Sequence, residues 1–377
     1  MNHSARPWHI TGTGLVTSVG TGTAEVFEAL CAARGGRGEL RAFGTARLRT
    51  RHAFEIDGHR RGPAAWLCLA VAEALGQAAL PEDLSDVPVL VGTGLRELRA
   101  AERHWLDGAT GTLPDLHFGG ALRERFGACD THTFAGACSA SLYALALAAD
   151  LLAADRADTV VVAGADTITA SMYGLLDRAQ TATPREVRPF DRDSAGQLLG
   201  EAAAAVVLSR PGPGAAEARS VLRSVGLHCD ARHVTAPDAA GLVAAQRQAH
   251  RQAGITAGDV DLVHAQATGS PLNDRAEAQA LAEVFGPGDG SPLVTAVEGM
   301  TGHTSGCSGL LGTVVATECL RTGRVPPAVG LSEPIDAAAG LRFSTGERVR
   351  GAGPVTAQVN AFGFGGVNAV AILGKAA

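Results

Sequence analysis

Short apolar runs alternate along the chain with longer Ala/Leu-rich stretches, and the alternation restarts once. The first run, His9-Ile-Thr-Gly-Thr-Gly-Leu-Val, has β-type patterning. It predicts a strand, followed by a helix over 24–33 that Thr21 or Thr23 could cap. A helix over 64–79 then precedes strand Val87-Pro-Val-Leu-Val-Gly. Thr133-Phe-Ala-Gly-Ala-Cys reads as a short strand and a small-residue turn. Helix 139–154 and strand Asp158-Thr-Val-Val-Val-Ala-Gly come next, and Ala203-Ala-Ala-Val-Val-Leu closes the series.

Ser209-Arg-Pro-Gly-Pro-Gly is the clearest linker. Beyond it the pattern repeats: strand Ser220-Val-Leu-Arg-Ser-Val-Gly-Leu-His, helix 241–253, strand Asp261-Leu-Val-His-Ala and helix 274–284. Strand Leu293-Val-Thr-Ala-Val, helix 307–321 and a closing hairpin (355–360 and 368–374) complete it. Two β/α series of similar length predict a duplicated α/β architecture divided into 1–210 and 219–377. The halves share no obvious sequence identity, so the duplication lies in the pattern alone.

Composition removes several classes. With 46% hydrophobic residues and 48 glycines, the chain can bury a large core and make many tight turns. The start carries no basic segment followed by a long apolar run, so a secretory signal is not expected. No stretch is long and apolar enough to predict a membrane span. The seven cysteines are scattered, without Cys-x-x-Cys spacing. Neither a disulfide framework nor a metal site is expected, and a reducing cytoplasm fits. A net charge of −6 argues against nucleic acid as a partner. The one lysine is Lys375, against many arginines.

The candidate chemistry begins at Cys138, where the predicted turn opens a helix. Unpaired backbone N–H groups and the positive end of the helix dipole converge there and favour the nucleophilic thiolate. A small buried hydrophobe is the alternative reading of such a cysteine. Three glycine-bearing segments follow predicted strand ends, where α/β folds place their sites. They are Gln266-Ala-Thr-Gly-Ser-Pro-Leu-Asn-Asp, Gly299-Met-Thr-Gly-His-Thr-Ser-Gly and Asn360-Ala-Phe-Gly-Phe-Gly-Gly-Val-Asn. None matches a P-loop or dinucleotide fingerprint, so no nucleotide cofactor is expected. Taken alone, His303 reads as a capping or core histidine, and Gly-Phe-Gly-Gly as a tight turn.

In this order, together with Arg188-Pro-Phe-Asp-Arg-Asp-Ser-Ala-Gly and the opening strand, these segments resemble the β-ketoacyl synthase family of condensing enzymes. The resemblance covers nearly the whole chain. It implies a thiolase-like fold, two βαβαβ halves in an α-β-α-β-α sandwich of five layers, and a tight dimer. It makes Cys138 the acceptor of an acyl group from an acyl-carrier protein, delivered as a phosphopantetheine thioester, or from coenzyme A. Backbone N–H groups of Cys138 and Phe364 would form the oxyanion hole, and Phe364 would also match the gating residue. No bound cofactor or metal is implied. Members of the family hold malonyl thioester with two histidines.

Here the sequence departs from the family. His303 occupies the place of the second histidine. The first is Gln266, its register fixed by Thr268, Pro271, Asn273 and Asp274. The lysine five residues before the second histidine is Glu298, and the glutamate nine residues after it is Gly312. Gln266 can donate a neutral hydrogen bond but cannot carry or shuttle a proton. A charged Glu298 would oppose a developing enolate by about 4 kcal/mol at 4 Å and an effective dielectric near 20. His264 would lie roughly 6–7 Å from the missing histidine's place on a strand of period two. Loading Cys138 needs only the sulfur and the N–H groups, so acyl transfer is expected to survive better than decarboxylative elongation. The expected function is a divergent acyltransferase of polyketide or fatty-acid-like biosynthesis. The alternative is a chain-length-factor-like subunit paired with a complete ketosynthase, giving a heterodimer rather than a homodimer. The chain is also shorter than family members between Gly92 and Thr133 and between Tyr173 and Arg188. Arg47, Arg49, Arg51, Arg60 and Arg61 could dock an acidic carrier, although such a run also reads as a solvated basic face.

Overall fold

A computed structural model describes residues 7–57, 62–108, 112–212, 216–288, 290–346 and 353–376. Arg60 and Arg61 lie outside the described residues. Two sets of strands repeat one topology. The first set is Trp8–Thr17 (β1), Val89–Thr93 (β2), Thr131–Ala135 (β3), Thr159–Asp166 (β4) and Ala202–Ser209 (β5). The second is Ser220–Cys229 (β6), Leu262–His264 (β7), Leu293–Thr295 (β8), Thr356–Gly363 (β10) and Val367–Lys375 (β11), with Arg342–Phe343 (β9) added at the edge. Their spatial orders are β3-β2-β4-β5-β1 and β8-β7-β10-β11-β6, the same arrangement twice. In each order the first two pairings are parallel and the last two antiparallel. The halves join edge to edge where Trp8–Ile10 of β1 pairs with Ser220–Leu222 of β6.

Helices fill three of the five layers. Gly62–Gln77 (α1) covers the outer face of the first sheet, against Val161, Ala203, Ala205 and Val207. Ala140–Ala153 (α2) and Ser308–Thr322 (α5) share the middle layer with Val160, Val162, Val206, Val359 and Ala371. Ala239–Ala253 (α3) and Pro271–Phe285 (α4) cover the outside of the second sheet over Val370 and Ile372. The alternating inward and outward residues of β5, small and β-branched, are what a strand buried on both faces requires. Small residues set the spacing as well. A Cβ on Gly14 of β1 would stand 1.9 Å from the Ala70 carbonyl oxygen of α1. Within the middle layer, one on Gly309 would stand 2.6 Å from Leu142.

The observed elements match the pattern-based ones to within a few residues. One local detail differs. Helix Thr23–Cys31 starts at Gly22 with φ 103 and has no side-chain cap. Its Thr23 N–H donates instead to Glu73 of α1 at 2.7 Å. A carboxylate from a distant element thus does the work expected of a neighbouring threonine. Among the described residues no helix is long and apolar enough to cross a membrane.

Candidate active site

Strand β3 delivers the chain to a tight turn at Gly136 and Ala137, and Ala137 takes the left-handed conformation with φ 51. A non-glycine residue there stores on the order of 1–3 kcal/mol of strain, held by the surrounding packing. One 3-10 turn, Ala137–Ser139, then leads into α2 and sets Cys138 at its start, half-buried. The closing β10–β11 turn presses on this corner. A Cβ on Gly363 would lie 3.2 Å from both Ala137 Cβ and Ser139 Oγ. Ser139 Oγ donates to the Val367 carbonyl at 2.8 Å. Gly365 and Gly366 supply the positive φ values, 85 and 74, that fold the turn back. Phe364 is therefore carried beside the cysteine turn, with its ring exposed.

The second half uses the same device. After the one-turn helix Glu298–Thr301, Ser305 takes φ 52, a 3-10 turn Ser305–Cys307 follows, and α5 begins. His303 stands just before this turn. Its backbone N–H donates to Leu198 O at 2.8 Å, and its carbonyl accepts from Gly200 N at 2.9 Å. The segment after Arg188-Pro-Phe-Asp thus clamps the histidine in place.

His303 and Cys138 meet across the two halves. Nε2 of His303 lies 3.0 Å from Cys138 Sγ, and its Nδ1 lies 2.8 Å from Glu298 Oε1. Glu298 is thus not the isolated charge that its place in the sequence suggested; it forms a buried pair with the histidine. Burial by itself would lower the His303 pKa, but the Glu298 carboxylate and the Cys138 sulfur raise it well above the ordinary imidazole value. Burial raises Glu298 despite the histidine beside it. Removing one member of such a pair leaves an uncompensated buried charge, at a cost of about 3–5 kcal/mol. Oxygen Oε2 of Glu298 has no hydrogen-bond partner among the described residues.

Gln266 approaches from the other side of the β10–β11 hairpin. Its Oε1 accepts the Phe362 N–H, while its buried Nε2 is unpartnered among the described residues. It lines a cleft with Thr268, Asn273 and Phe364. Two carboxylates one turn apart on α4 hold its loop. Glu277 accepts from the N–H groups of Gln266 at 3.0 Å and Ala267 at 2.8 Å. Asp274 accepts from Gly269 at 3.2 Å and Phe190 at 2.8 Å. Burial raises both pKa values, Asp274 well above the usual range, and the nearby charge of Glu298 adds to each.

Gly312 lies apart from this line. A Cβ there would stand 2.8 Å from His264 Nδ1 and 2.9 Å from Val359. His264 is buried against that glycine, and neither ring nitrogen has a partner among the described residues. Burial lowers its pKa to about 4, so it is a neutral core side chain. The sequence pattern also passed over Asp166, at the end of β4. It accepts Thr93 Oγ1 and the N–H groups of Gly94 and Leu95 at 2.8–2.9 Å, bracing the loop beneath the Gly306 turn. Burial, against those donors, raises its pKa to about 6. A lone aspartate ending a Val/Ala strand was the available signal.

Two halves of one topology, with a cysteine at one helix start and a histidine at the other, define a condensing-enzyme architecture. The chain belongs to the β-ketoacyl synthase family: residues 51–211 match its N-terminal domain and residues 219–332 its C-terminal domain. Among curated proteins it is similar to nodulation protein E of Rhizobium meliloti (strain 1021), 30% identical over 80% of this chain and 79% of that one. It is also similar to 3-oxoacyl-[acyl-carrier-protein] synthase 2 of Coxiella burnetii, 25% identical over 97% and 98%. Among solved structures it resembles the ishigamide ketosynthase/chain length factor, with TM-score 0.87 and 27% identity over 99% of this chain and 100% of that one.

Proposed function

We propose that the chain is a ketosynthase-family acyltransferase of polyketide or fatty-acid-like biosynthesis, carrying its acyl group on Cys138. The Sγ–imidazole–carboxylate line, at 3.0 and 2.8 Å, carries this reading. A subunit with no chemistry of its own has no use for a buried charged pair aimed at a sulfur. The N–H groups of Cys138 and Phe364 serve as the oxyanion hole for loading. The donor is an acyl-carrier protein thioester, and the similarity to carrier-dependent synthases supports it. Arg37, Arg49, Arg51 and Arg185 line one surface cleft suited to an acidic carrier.

Elongation is disfavoured, because Gln266 cannot become the cation that a malonyl enolate meets in relatives. That same glutamine favours the second reading, a chain-length-factor-like subunit beside a complete ketosynthase. The test is incubation with acyl-carrier thioesters followed by intact mass. An adduct that disappears in Cys138→Ala is expected. No adduct with any donor, alone or with a ketosynthase partner, leaves the subunit reading standing.

A further inference from the structure

Building on that acyltransferase reading, we propose that Glu298 makes His303 a general base, so that the acyl group on Cys138 passes to a hydroxyl or amine acceptor rather than to a malonyl carbanion. Two observations and one chemical argument carry it. The carboxylate sits on Nδ1, which fixes the proton on that nitrogen and leaves the Nε2 lone pair toward the sulfur. Decarboxylative condensation brings an acceptor with no proton to remove, so a carboxylate-backed base has no task there. A protic nucleophile needs such a base. Finally, Gln266 commits Oε1 to the Phe362 N–H and keeps a buried Nε2 with no acceptor among the described residues, in a side chain that lines the cleft. An oxygen of the incoming acceptor satisfies it.

The steps balance. In loading, the Cys138 thiolate attacks the carrier thioester, and the departing carrier sulfur takes the Nε2 proton and leaves as a thiol. His303 is then neutral, with Nδ1–H donated to Glu298. In transfer, Nε2 removes the proton of the acceptor O–H or N–H while that heteroatom bonds to the acyl carbon. The tetrahedral oxyanion collapses, the C–S bond breaks, and an ester or amide leaves. The thiolate–imidazolium pair is restored. Glu298 never touches the acyl group; it is a positioning residue. Asp274 and Glu277 are the other buried carboxylates near it.

The experiment loads Cys138 from a panel of short acyl N-acetylcysteamine thioesters and follows decay of the adduct by intact mass. Decay is measured in buffer alone, with ethanolamine, with 1-butanol and with malonyl-carrier protein, across pH 5–9. Faster decay than in His303→Ala is expected with water, amine or alcohol, with a titrating limb and no release of carbon dioxide from malonyl-carrier. Glu298→Gln should slow that decay by roughly 10²–10⁴-fold and shift the limb, with Glu298→Asp restoring part of it. Loading that proceeds, followed by discharge only with malonyl-carrier and carbon dioxide, overturns the acceptor assignment and leaves the acyltransferase reading intact. So does an adduct no shorter-lived than that of His303→Ala in every mixture. Absence of any adduct overturns both.

Discussion

The two middle-layer helices begin alike and end up doing opposite things. Each follows a parallel strand, a left-handed non-glycine residue (Ala137 with φ 51, Ser305 with φ 52) and a 3-10 turn. In the first half the next residue is Cys138, which reaches outward to meet His303. In the second it is Gly306, whose backbone is pressed against the neighbouring loop. A Cβ there would stand 2.3 Å from Gly94 N and 2.9 Å from the Ala137 carbonyl. One copy of the turn carries a thiol side chain. The other has none at the matching position, and His303, just upstream of it, reaches the sulfur of the first.

The largest expected effect separates these roles outright. Cys138→Ala should abolish the acyl adduct and leave the unfolding midpoint nearly unchanged. Gly306→Ala should lose about 3 kcal/mol or more, because backbone on both sides cannot yield. Paired adduct assays and urea titrations check both, and equal stability losses at the two positions would erase the contrast.

Next comes pH. His264 is held neutral with a pKa of about 4 against an unfolded value of 6.5. Between those values the unfolded chain binds the extra proton, so stability is present above pH 6.5 and lost as pH falls toward 4. The loss amounts to about 3 kcal/mol at roughly 1.4 kcal/mol per pH unit. Urea titrations at pH 7 and 4.5 should show that share of the acid sensitivity gone in His264→Leu.

Gly312→Ala should cost about 1–3 kcal/mol by crowding the same imidazole. In a His264→Ala background the cost should shrink, and a double-mutant cycle with no coupling would refute the packing account. Smallest of all, Ala137→Gly and Ser305→Gly should each raise stability by up to about 1 kcal/mol by relieving the left-handed strain. Equal thermal shifts at the two sites are expected, since the two turns are copies.

Much of this was legible in the sequence. Strand and helix periodicity marked both halves. Of the candidate residues, Cys138 and His303 stand 3.0 Å apart, and Gln266 lines the cleft that Phe364 shares. What stayed hidden were relations between positions. Glu298 stands five residues before His303, a spacing that no regular helix or strand turns into contact; the bend through Gly302, with φ 68, does so. Its sign suggested opposition until its partner was visible. Gly312 read as a lost glutamate, and only the fold reveals the imidazole of His264 filling that space. Thr21 and Thr23 were reasonable caps, but the carboxylate of Glu73 comes from an element that local pattern cannot bring near.

The ladder formed by β1 has a consequence in time. Thr11 on β1 bonds the Val207 carbonyl, a partner 196 residues further along the chain, and Trp8–Ile10 must then also meet Ser220–Leu222. At about 5–20 residues per second of synthesis, the first strand waits roughly 10–40 s for its neighbour. Throughout that interval only the end of β1, at Val16 and Thr17, has its local partner Gly20–Thr21, and an unpaired strand edge is a template for any other strand that passes. The join that makes two halves one sheet thus also sets how long the first strand stands without its neighbours during synthesis.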